Sequence, residues 1–350
     1  MHTELSLKLP RLLHTNQVPK VFREQGILFG YRHPRSSATD CIFSLFQMTN
    51  ETVNIWSHFL PAWYFLWKLL ALFYALDIWN DSYAWPFLAY MVMCCIYPLT
   101  SSFAHTFSTM STRARHICYF FDYGALTLYS LGSAVAYSAY IFPEEWINST
   151  FHHYYVSIAV LNTILTTSLS CYSRLGLPYF RYNSGGVERF TEMEQPKFSK
   201  AIRTLAFAHP YVYDSIPLFY RLYLCAARSC TDSVIPIHYK HIAFACLTCF
   251  LFAMHLPERL APGLFDYIGH SHQLFHICGI IGTHFQMEAL LVDMTDRREL
   301  LLASFPAPSF SQTFGTVAVS TTVSLTIIAA FSATLYSMPK FFRKGSKHRD

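Results

Sequence analysis

Eight apolar runs, each near 20 residues long, constrain the fold of this chain more than any other feature of its sequence. About 20 predominantly apolar residues are needed for a helix to cross the hydrocarbon core of a bilayer. Short islands of charge separate the runs, and only 13% of the 350 residues are charged, against about 25% in soluble domains. The sequence therefore predicts an all-α protein, a polytopic membrane helical bundle.

The predicted bundle is a single transmembrane domain, residues 54–337, because no soluble module separates the apolar runs. It is preceded by an N-terminal segment, residues 1–53, and followed by a basic tail, residues 338–350. Hydropathy places the eight spans at roughly 54–77, 84–107, 116–141, 151–172, 201–222, 239–256, 270–292 and 314–337.

The distribution of lysine and arginine predicts that both termini lie in the cytosol. In that orientation the cytosolic segments carry 19 basic residues and the opposite loops carry 3, as the positive-inside rule requires. Glycosylation sequons at Asn80 and Asn148 then lie on the non-cytosolic side, whereas the sequon at Asn50 is cytosolic and expected to be unused. The net charge of +5 reflects this asymmetry and requires no nucleic-acid partner.

The stretch GHSHQLFH, residues 269–276, places three histidines at the cytosolic start of the seventh span. His272 and His276 are four residues apart, so on a helix their rings share one face. His105 ends the second span, which returns to the cytosol, and is expected at the same depth. Ionisable residues inside a membrane normally face a cavity or one another. These three histidines are therefore predicted to meet.

Two further polar residues, Ser101 and Asp122, are expected at the depth of the three histidines. Three neutral imidazoles with a fourth position left open form the ligand set of a catalytic zinc ion. Asp122 would then orient a ligand or a water, and Ser101 would donate a hydrogen bond to a developing oxyanion. The matching reaction is hydrolysis of a lipid amide or ester. Two other interpretations remain open: hydrogen bonds between the histidines, and a zinc ion that only joins helices.

Several motifs resemble the progestin and adipoQ receptor family, namely GHSHQLFH, SSFAH, FFDYG and the stretch HLPERLAPGLFDYIGHSHQLFH. The similarity covers residues 22–291. Two stretches, FREQGILFGYRHP and CIFSLFQMTNETVNIWSH, resemble the membrane progestin receptor branch of that family. The resemblance implies a seven-helix core like that of the adiponectin receptors. Residues 314–338 add an eighth span, which those receptors lack.

The resemblance also implies a site and a function. In the adiponectin receptors three histidines hold zinc near the cytosolic face, and His105, His272 and His276 match them. Asp122 matches the aspartate that binds water, and Ser101 matches the serine of the S-x-x-x-H motif. The implied function is a plasma-membrane receptor for progesterone or a related steroid, signalling through a heterotrimeric G protein. A ceramidase-like hydrolysis of membrane lipid, such as ceramide, is the alternative, and the steroid could regulate it.

Two features near the fifth span carry separate expectations. Asp214 lies inside this span between Pro210 and Pro217. Because proline loosens a helix locally, Asp214 is predicted to form part of a cavity wall. Cys225 and Cys230 lie near the outer face, where the compartment is oxidising, and are expected to form a disulfide.

Other polar residues are given simpler interpretations. Glu51 and Asn54 are expected to cap the first span, and His270 is expected to face the lipid headgroups. Lys68 and Glu288 lie deep in the first and seventh spans. Lys68 is expected to extend its ammonium group towards the interface, and no partner is assigned to Glu288.

Overall fold

The computed structural model describes residues 10–75, 80–175, 197–230 and 232–337, with the backbone alone for residues 197–200. Over these ranges the structure is helical and has no β-sheet. The predicted basic tail, residues 338–350, lies outside the described residues. The helices are α1 (Ala38–Phe43), α2 (Thr52–Ala75), α3 (Trp85–Phe107), α4 (Thr112–Tyr140), α5 (Thr150–Leu175), α6 (Lys197–Asp214), α7 (Ile216–Arg228), α8 (Ile235–Met254), α9 (Ser271–Asp296), α10 (Arg298–Ser304) and α11 (Thr316–Ser337).

The long helices coincide with the eight predicted spans, which confirms a polytopic helical membrane bundle. The helix at the first predicted span contains Asn54, His58 and Lys68, and the helices at the third and fifth contain several tyrosine, serine and charged residues. Within the described residues, five segments are long and apolar enough to cross a membrane by length and composition: Ser82–Phe107, Thr150–Leu175, Ile235–Met254, Ser271–Asp296 and Ser311–Ser337.

The fifth predicted span is broken into two helices. Helix α6 ends at Asp214 and α7 begins at Ile216. Pro210 lies inside α6, and Pro217 lies in the first turn of α7, where a missing N–H is tolerated. The break leaves the carbonyl of Asp214 without a helical partner, and the hydroxyl of Tyr155 donates to it at 2.6 Å. A buried side chain thus satisfies the interrupted backbone.

The centre of the bundle is the pair formed by α3 and α4, which contributes about half of the fully buried apolar side chains. Gly132 on α4 permits their close approach. A Cβ atom at this position would lie 3.1 Å from the side chain of Met93 and 3.3 Å from the Cα of Tyr90. Helix α11, which corresponds to the eighth predicted span, packs against α5 and against the side of α4 that faces away from α3. It is therefore an addition to the outside of the seven-span core.

The N-terminal segment closes one end of the bundle, where α3 ends and α4 and α9 begin. Backbone amides of Leu28 and Phe29 donate to the two carboxylate oxygens of Asp266, in the loop before α9, at 2.8 and 2.9 Å. Glu24 forms an ion pair with Arg115 of α4 at 2.6 Å. These contacts fix the segment against the helix ends that carry the predicted site.

The opposite end of the bundle carries α10 and the outer loops. Asp81 pairs with Arg298 of α10 at 2.7 Å, and the amide of Asn148 donates to the carbonyl of Ser304 at 3.0 Å. The sequons at Asn80 and Asn148 are therefore exposed at this same end, whereas Asn50 is buried at the other.

Two of the simpler interpretations are wrong and one expectation is confirmed. Lys68 does not extend to the interface alone, because its ammonium lies 3.0 Å from the carboxylate of Glu288. His270 does not face the headgroups, because it is buried beside the carbonyl of Asn50 at 3.2 Å. The predicted disulfide, by contrast, is present between residues 225 and 230.

Candidate metal centre and cavity

The three predicted histidines meet inside the bundle at the end closed by the N-terminal segment. His105 comes from the last turn of α3, and His272 and His276 come from the first two turns of α9. One ring nitrogen of each lies within 4.8 Å of the other two. The Nε2 atoms of His105 and His272 are 3.2 Å apart. The structure therefore brings together side chains that the sequence places on two separate helices.

Hydrogen bonds on the far side of the rings orient two of the histidines. The Nδ1 atom of His105 lies 2.8 Å from a carboxylate oxygen of Glu51, and the Nδ1 atom of His276 lies 3.1 Å from the carbonyl of Asn54. Because a carboxylate and a carbonyl only accept, both Nδ1 atoms carry the proton. The lone pair of each ring is then on Nε2 and faces the shared centre, as in histidines that bind metals.

Glu51 therefore supports the site instead of simply capping α2. It is 5% exposed, and the amide of Asn54 donates to it at 2.7 Å. Burial alone would raise the pKa of Glu51, but His105, Arg32 and Arg115 outweigh burial and hold that pKa well below its usual range. The carboxylate is thus charged and available to the imidazole. The interpretation of Glu51 as a cap of the first span was incomplete.

Glu258 accepts hydrogen bonds from the first residue of α9 and so stabilises the start of this helix. The backbone N–H and the hydroxyl of Ser271 both donate to this buried carboxylate, which also suits the positive end of a helix dipole. One residue further on, His272 stacks on Phe275 with ring centroids 5.6 Å apart. The start of the helix and the stacked ring together fix the direction of His272.

The donor set fits a zinc ion. Zinc binds imidazole nitrogen at about 2.0–2.1 Å with tetrahedral angles, which places two ligand atoms of one ion about 3.3 Å apart. The 3.2 Å between His105 and His272 matches this separation. The same distance also suits a direct N–H···N hydrogen bond between the two rings, so the interpretation without metal stays open on distance alone. The two oriented lone pairs favour the metal.

Ser101 and Asp122 lie beside the histidines, as predicted. Ser101 is buried one turn before His105 on α3, and Asp122 on α4 lies within electrostatic range of both. Asp122 is only half-buried because its carboxyl faces an internal cavity. The serine and the aspartate therefore stand on the open side of the three imidazoles.

Two further residues of the site were not singled out by sequence reasoning. His58 of α2 is buried and stacks flat on His276, with centroids 3.8 Å apart. Arg32 is buried and donates to the carbonyls of His105 and Thr106 at 2.5 and 2.8 Å, at the end of α3. The sequence signal for both was their place in the motifs GYRHP and NETVNIWSH, which were used only for resemblance.

The histidines open on a cavity of about 1600 Å³ that runs into the bundle. Its mouth lies at the end of the bundle that the N-terminal segment covers. Charged residues line this mouth, among them Glu24, Arg115 and Arg174. Deeper in, the walls are mainly apolar and aromatic. This inner lining includes Leu126, Tyr129, Phe207, Ala208 and Ala245, while Phe252 and Phe275 line the cavity at the level of the histidines.

The cavity also reaches the side of the bundle between α6 and α8. Leu205 and Val212 of α6 line it and are 68% and 54% exposed. Cys246 and Cys249 of α8 likewise line it and are exposed. In a membrane this side of the bundle faces the acyl chains, so this part of the cavity wall lies next to the hydrocarbon layer.

Deeper in the bundle, about two turns along α9 from His276, polar groups line the cavity. The hydroxyls of Tyr97 and Tyr129 meet that of Thr283 at 3.0 and 3.1 Å. Gln286, one turn further along α9, bonds to Tyr129 and donates to Tyr137 at 2.9 Å. Asp214 also lines the cavity, as its position between two prolines predicted. The cavity thus has polar groups at both ends.

Comparisons with known proteins agree with this architecture. Residues 46–287 match the haemolysin-III-related family. Membrane progestin receptor gamma-B of Danio rerio is 60% identical over 343 residues, which cover 98% of this chain and 97% of that protein. The chain belongs to the haemolysin-III-related family, in its membrane progestin receptor branch.

Two other relatives define the branch more broadly. Human membrane progestin receptor gamma is 58% identical and covers 96% of this chain and 97% of its own length. Human membrane progestin receptor delta is 54% identical over a similar share, 96% of this chain and 94% of its own length. The alignments span nearly the full chain, so the resemblance inferred from the motifs is confirmed and the eighth span is included in the similarity.

Proposed function

We propose that this protein is a plasma-membrane receptor that binds progesterone or a related steroid in the cavity described above. The observation that carries the proposal is the cavity itself. It has about 1600 Å³, enough for a ligand of steroid size, since small-molecule pockets range from about 300 to 1,000 Å³. Apolar and aromatic walls with a few polar groups suit a steroid. In addition, relatives that share more than half of their aligned residues with this chain are named membrane progestin receptors.

The three imidazoles are proposed to hold zinc. His105, His272 and His276 supply the ligand atoms, and Glu51 and Asn54 fix two of the rings. Zinc bound there would join α3 to α9 across the mouth of the cavity. In the receptor its contribution would be structural, because a metal that binds only the folded state stabilises that state.

Equilibrium binding of labelled progesterone to the purified full chain tests the receptor proposal. We expect saturable binding that unlabelled progesterone displaces and that a long-chain fatty alcohol does not displace. Absence of saturable binding to protein that carries its zinc and melts cooperatively would contradict the proposal.

A second candidate function is hydrolysis of a lipid amide such as ceramide. Asp122 and Ser101 favour it, because both lie on the open side of the histidines and face the cavity. Zinc would supply a Lewis acid at that position. Asp122 would orient a water and accept its proton, and Ser101 would donate a hydrogen bond to the carbonyl oxygen as negative charge develops there.

Release of fatty acid from ceramide tests the hydrolase candidate. Asp122→Asn removes the proton acceptor and keeps the shape, so turnover should fall by about 10²-fold or more while zinc content stays at the native level. If the native chain with full zinc content releases no fatty acid, the hydrolase candidate is wrong and the receptor proposal is unaffected.

The proposal includes a cytosolic N-terminus and a heterotrimeric G protein as partner. The excess of 19 basic residues over 3 supports the orientation, and the G protein follows from the resemblance to receptors alone. Glycosylation tests the orientation of the N-terminus. Deglycosylation should lower the mass of the native protein, and this decrease should disappear in a variant with Asn80→Gln and Asn148→Gln. Nucleotide exchange stimulated by progesterone in plasma membranes tests the G-protein partner, and no stimulation would contradict it.

A further inference from the structure

Asp214 is a buried acidic residue that neither zinc binding nor hydrolysis uses. It is 4% exposed and lines the deep part of the cavity. The hydroxyl of Ser130 donates to its Oδ2 atom. Its Oδ1 atom is buried and has no hydrogen-bond partner among the residues that the structure describes. A buried polar atom without a partner at a cavity wall can take one from a molecule bound in the cavity, a ligand or a water.

The surroundings of Asp214 favour the neutral acid. Ser130 is its only polar side-chain partner within the described chain, and none of the described ion pairs includes it. An isolated carboxylate at this depth in a bilayer is costly, so an unpaired acid is kept protonated. A neutral carboxyl has one O–H donor in addition to its accepting oxygen. Because the Ser130 hydroxyl donates to Oδ2, this oxygen is the accepting one, and the O–H group is then on Oδ1.

The carboxyl is held in place by the break between α6 and α7. The carbonyl of Asp214 accepts from Tyr155 at 2.6 Å, and the ring of Tyr213 stacks on Tyr155 with centroids 5.4 Å apart. Ser215, the next residue, is 1% exposed. The acid therefore projects from a fixed point, which is the condition for selective recognition of a ligand.

The distance to the other polar end of the cavity is set by α4. Asp122 and Ser130 both line the cavity and are eight residues apart on this helix. At 1.5 Å per residue they are about 12 Å apart along the axis. Leu126 and Tyr129 lie between them on the same cavity wall. An elongated apolar ligand with a polar group at each end matches this arrangement.

We propose that Asp214 donates a hydrogen bond to a carbonyl oxygen of the bound steroid. The inference rests on the proposed receptor function and assigns part of its ligand site. Progesterone has one ketone on its first ring and another on the side chain of its last ring. With either ketone at Asp214, the rigid ring system lies along the apolar wall and the second ketone points towards Ser101 and Asp122.

Two substitutions of Asp214 distinguish the effect of a hydrogen-bond donor on steroid binding from the effect of side-chain volume. Asp214→Asn keeps an N–H donor in nearly the same shape, so its progesterone affinity should stay within about twofold of native. Asp214→Leu removes the donor and should weaken binding about fivefold or more. The matched control is Asn162→Leu, which removes a buried polar group of α5 that does not line the cavity. Its affinity should equal that of the native protein.

Ligand analogues place the contact on one ketone. Two analogues of progesterone, each with one ketone reduced to methylene, are measured on the native protein and on Asp214→Leu. We expect one analogue to bind the native protein about fivefold more weakly than progesterone does, and to lose nothing further in the variant. If Asp214→Leu does not fold, Asp214→Cys is used in its place. This variant also carries Cys246→Ser and Cys249→Ser, because these two exposed cysteines line the cavity and would react as well. Bound progesterone should protect the new thiol from alkylation.

The outcomes distinguish the two proposals. If the native protein binds progesterone and Asp214→Leu binds it equally well, this inference is wrong and the receptor function stands. Equal losses in Asp214→Asn and Asp214→Leu, or an unprotected thiol in Asp214→Cys, would also overturn the inference. If the native protein binds no progesterone, the receptor proposal fails and the inference fails with it.

Discussion

Glu51 and His105 face each other in the interior of the protein, with a carboxylate oxygen 2.8 Å from Nδ1, although 54 residues separate them in the chain. Both side chains are almost fully buried. The contact determines which imidazole nitrogen carries the proton, and hence which nitrogen faces the other two histidines. The N-terminal segment is in this way part of the candidate metal centre.

Removal of that carboxylate should weaken zinc binding. We expect Glu51→Ala to lower the zinc affinity by about 10- to 100-fold, the usual effect of losing the hydrogen-bond partner of a ligand. Glu51→Gln, which keeps an accepting oxygen, should lose less. Competition with a fluorescent chelator measures the affinity. Glu24→Gln is the control, because this glutamate pairs with Arg115 at the mouth and has no hydrogen bond to a histidine among the described residues. Equal affinities in native protein and Glu51→Ala would contradict the account.

Arg32 is expected to stabilise the end of α3 from which His105 projects. Its guanidinium bridges two backbone carbonyls and the hydroxyl of Ser44, a geometry that a lysine cannot reproduce. Arg32→Ala should therefore destabilise the folded state by about 2–3 kcal/mol, and Arg32→Lys should restore only part of the loss. Thermal unfolding in detergent measures both. Full restoration by lysine would show that charge alone matters.

Filling the cavity should block the ligand without unfolding the bundle. Ala245 lines the cavity, whereas Ala243 on the same helix is exposed on the outside. We expect Ala245→Phe to reduce progesterone affinity by at least about tenfold, because the larger side chain occupies ligand volume. Ala243→Phe adds the same ring outside and should bind normally. Equal binding by both variants would place the ligand elsewhere.

The pair formed by Lys68 and Glu288 should be strongly coupled. The two side chains are about one-third exposed or less and join α2 to α9 at the depth of the bilayer. Lys68→Met alone leaves an unpaired carboxylate, so it should destabilise more than the double variant with Glu288→Met. A double-mutant cycle of thermal stability should give a coupling of about 1–3 kcal/mol. The exposed pair of Arg228 and Glu145 is the control and should give less than about 1 kcal/mol. Additive effects for Lys68 and Glu288 would contradict the prediction.

The helices and the meeting of the histidines could be predicted because each depends on one-dimensional information. An apolar run of about 20 residues fixes a span, and the direction of each span fixes the depth of its polar residues. Depth alone placed His105, Asp122 and the two histidines of α9 in one layer. The two prolines that flank Asp214 predicted a locally loosened helix and a cavity wall there, although not the division of the fifth span into two helices.

Contacts that depend on the rotation of helices or on the path of a loop could not be predicted. The pairing of Lys68 with Glu288 requires two helices to face each other at one height. Glu51 was interpreted as a cap because its position before a helix favours that role, and only the packing of the N-terminal segment against α3 shows its imidazole partner. The residues that line the ligand cavity could not be predicted either, because apolar residues form lipid-facing surfaces and ligand cavities alike.

The zinc content of the purified protein tests the central claim most directly. Metal analysis of the native chain should find about one zinc ion per chain, and His276→Ala should lose it. His270→Gln is the matched variant, since His270 belongs to the same histidine cluster but bonds to the carbonyl of Asn50 instead, and it should keep its zinc. A native chain without zinc, or a His276→Ala variant that retains it, would contradict the account.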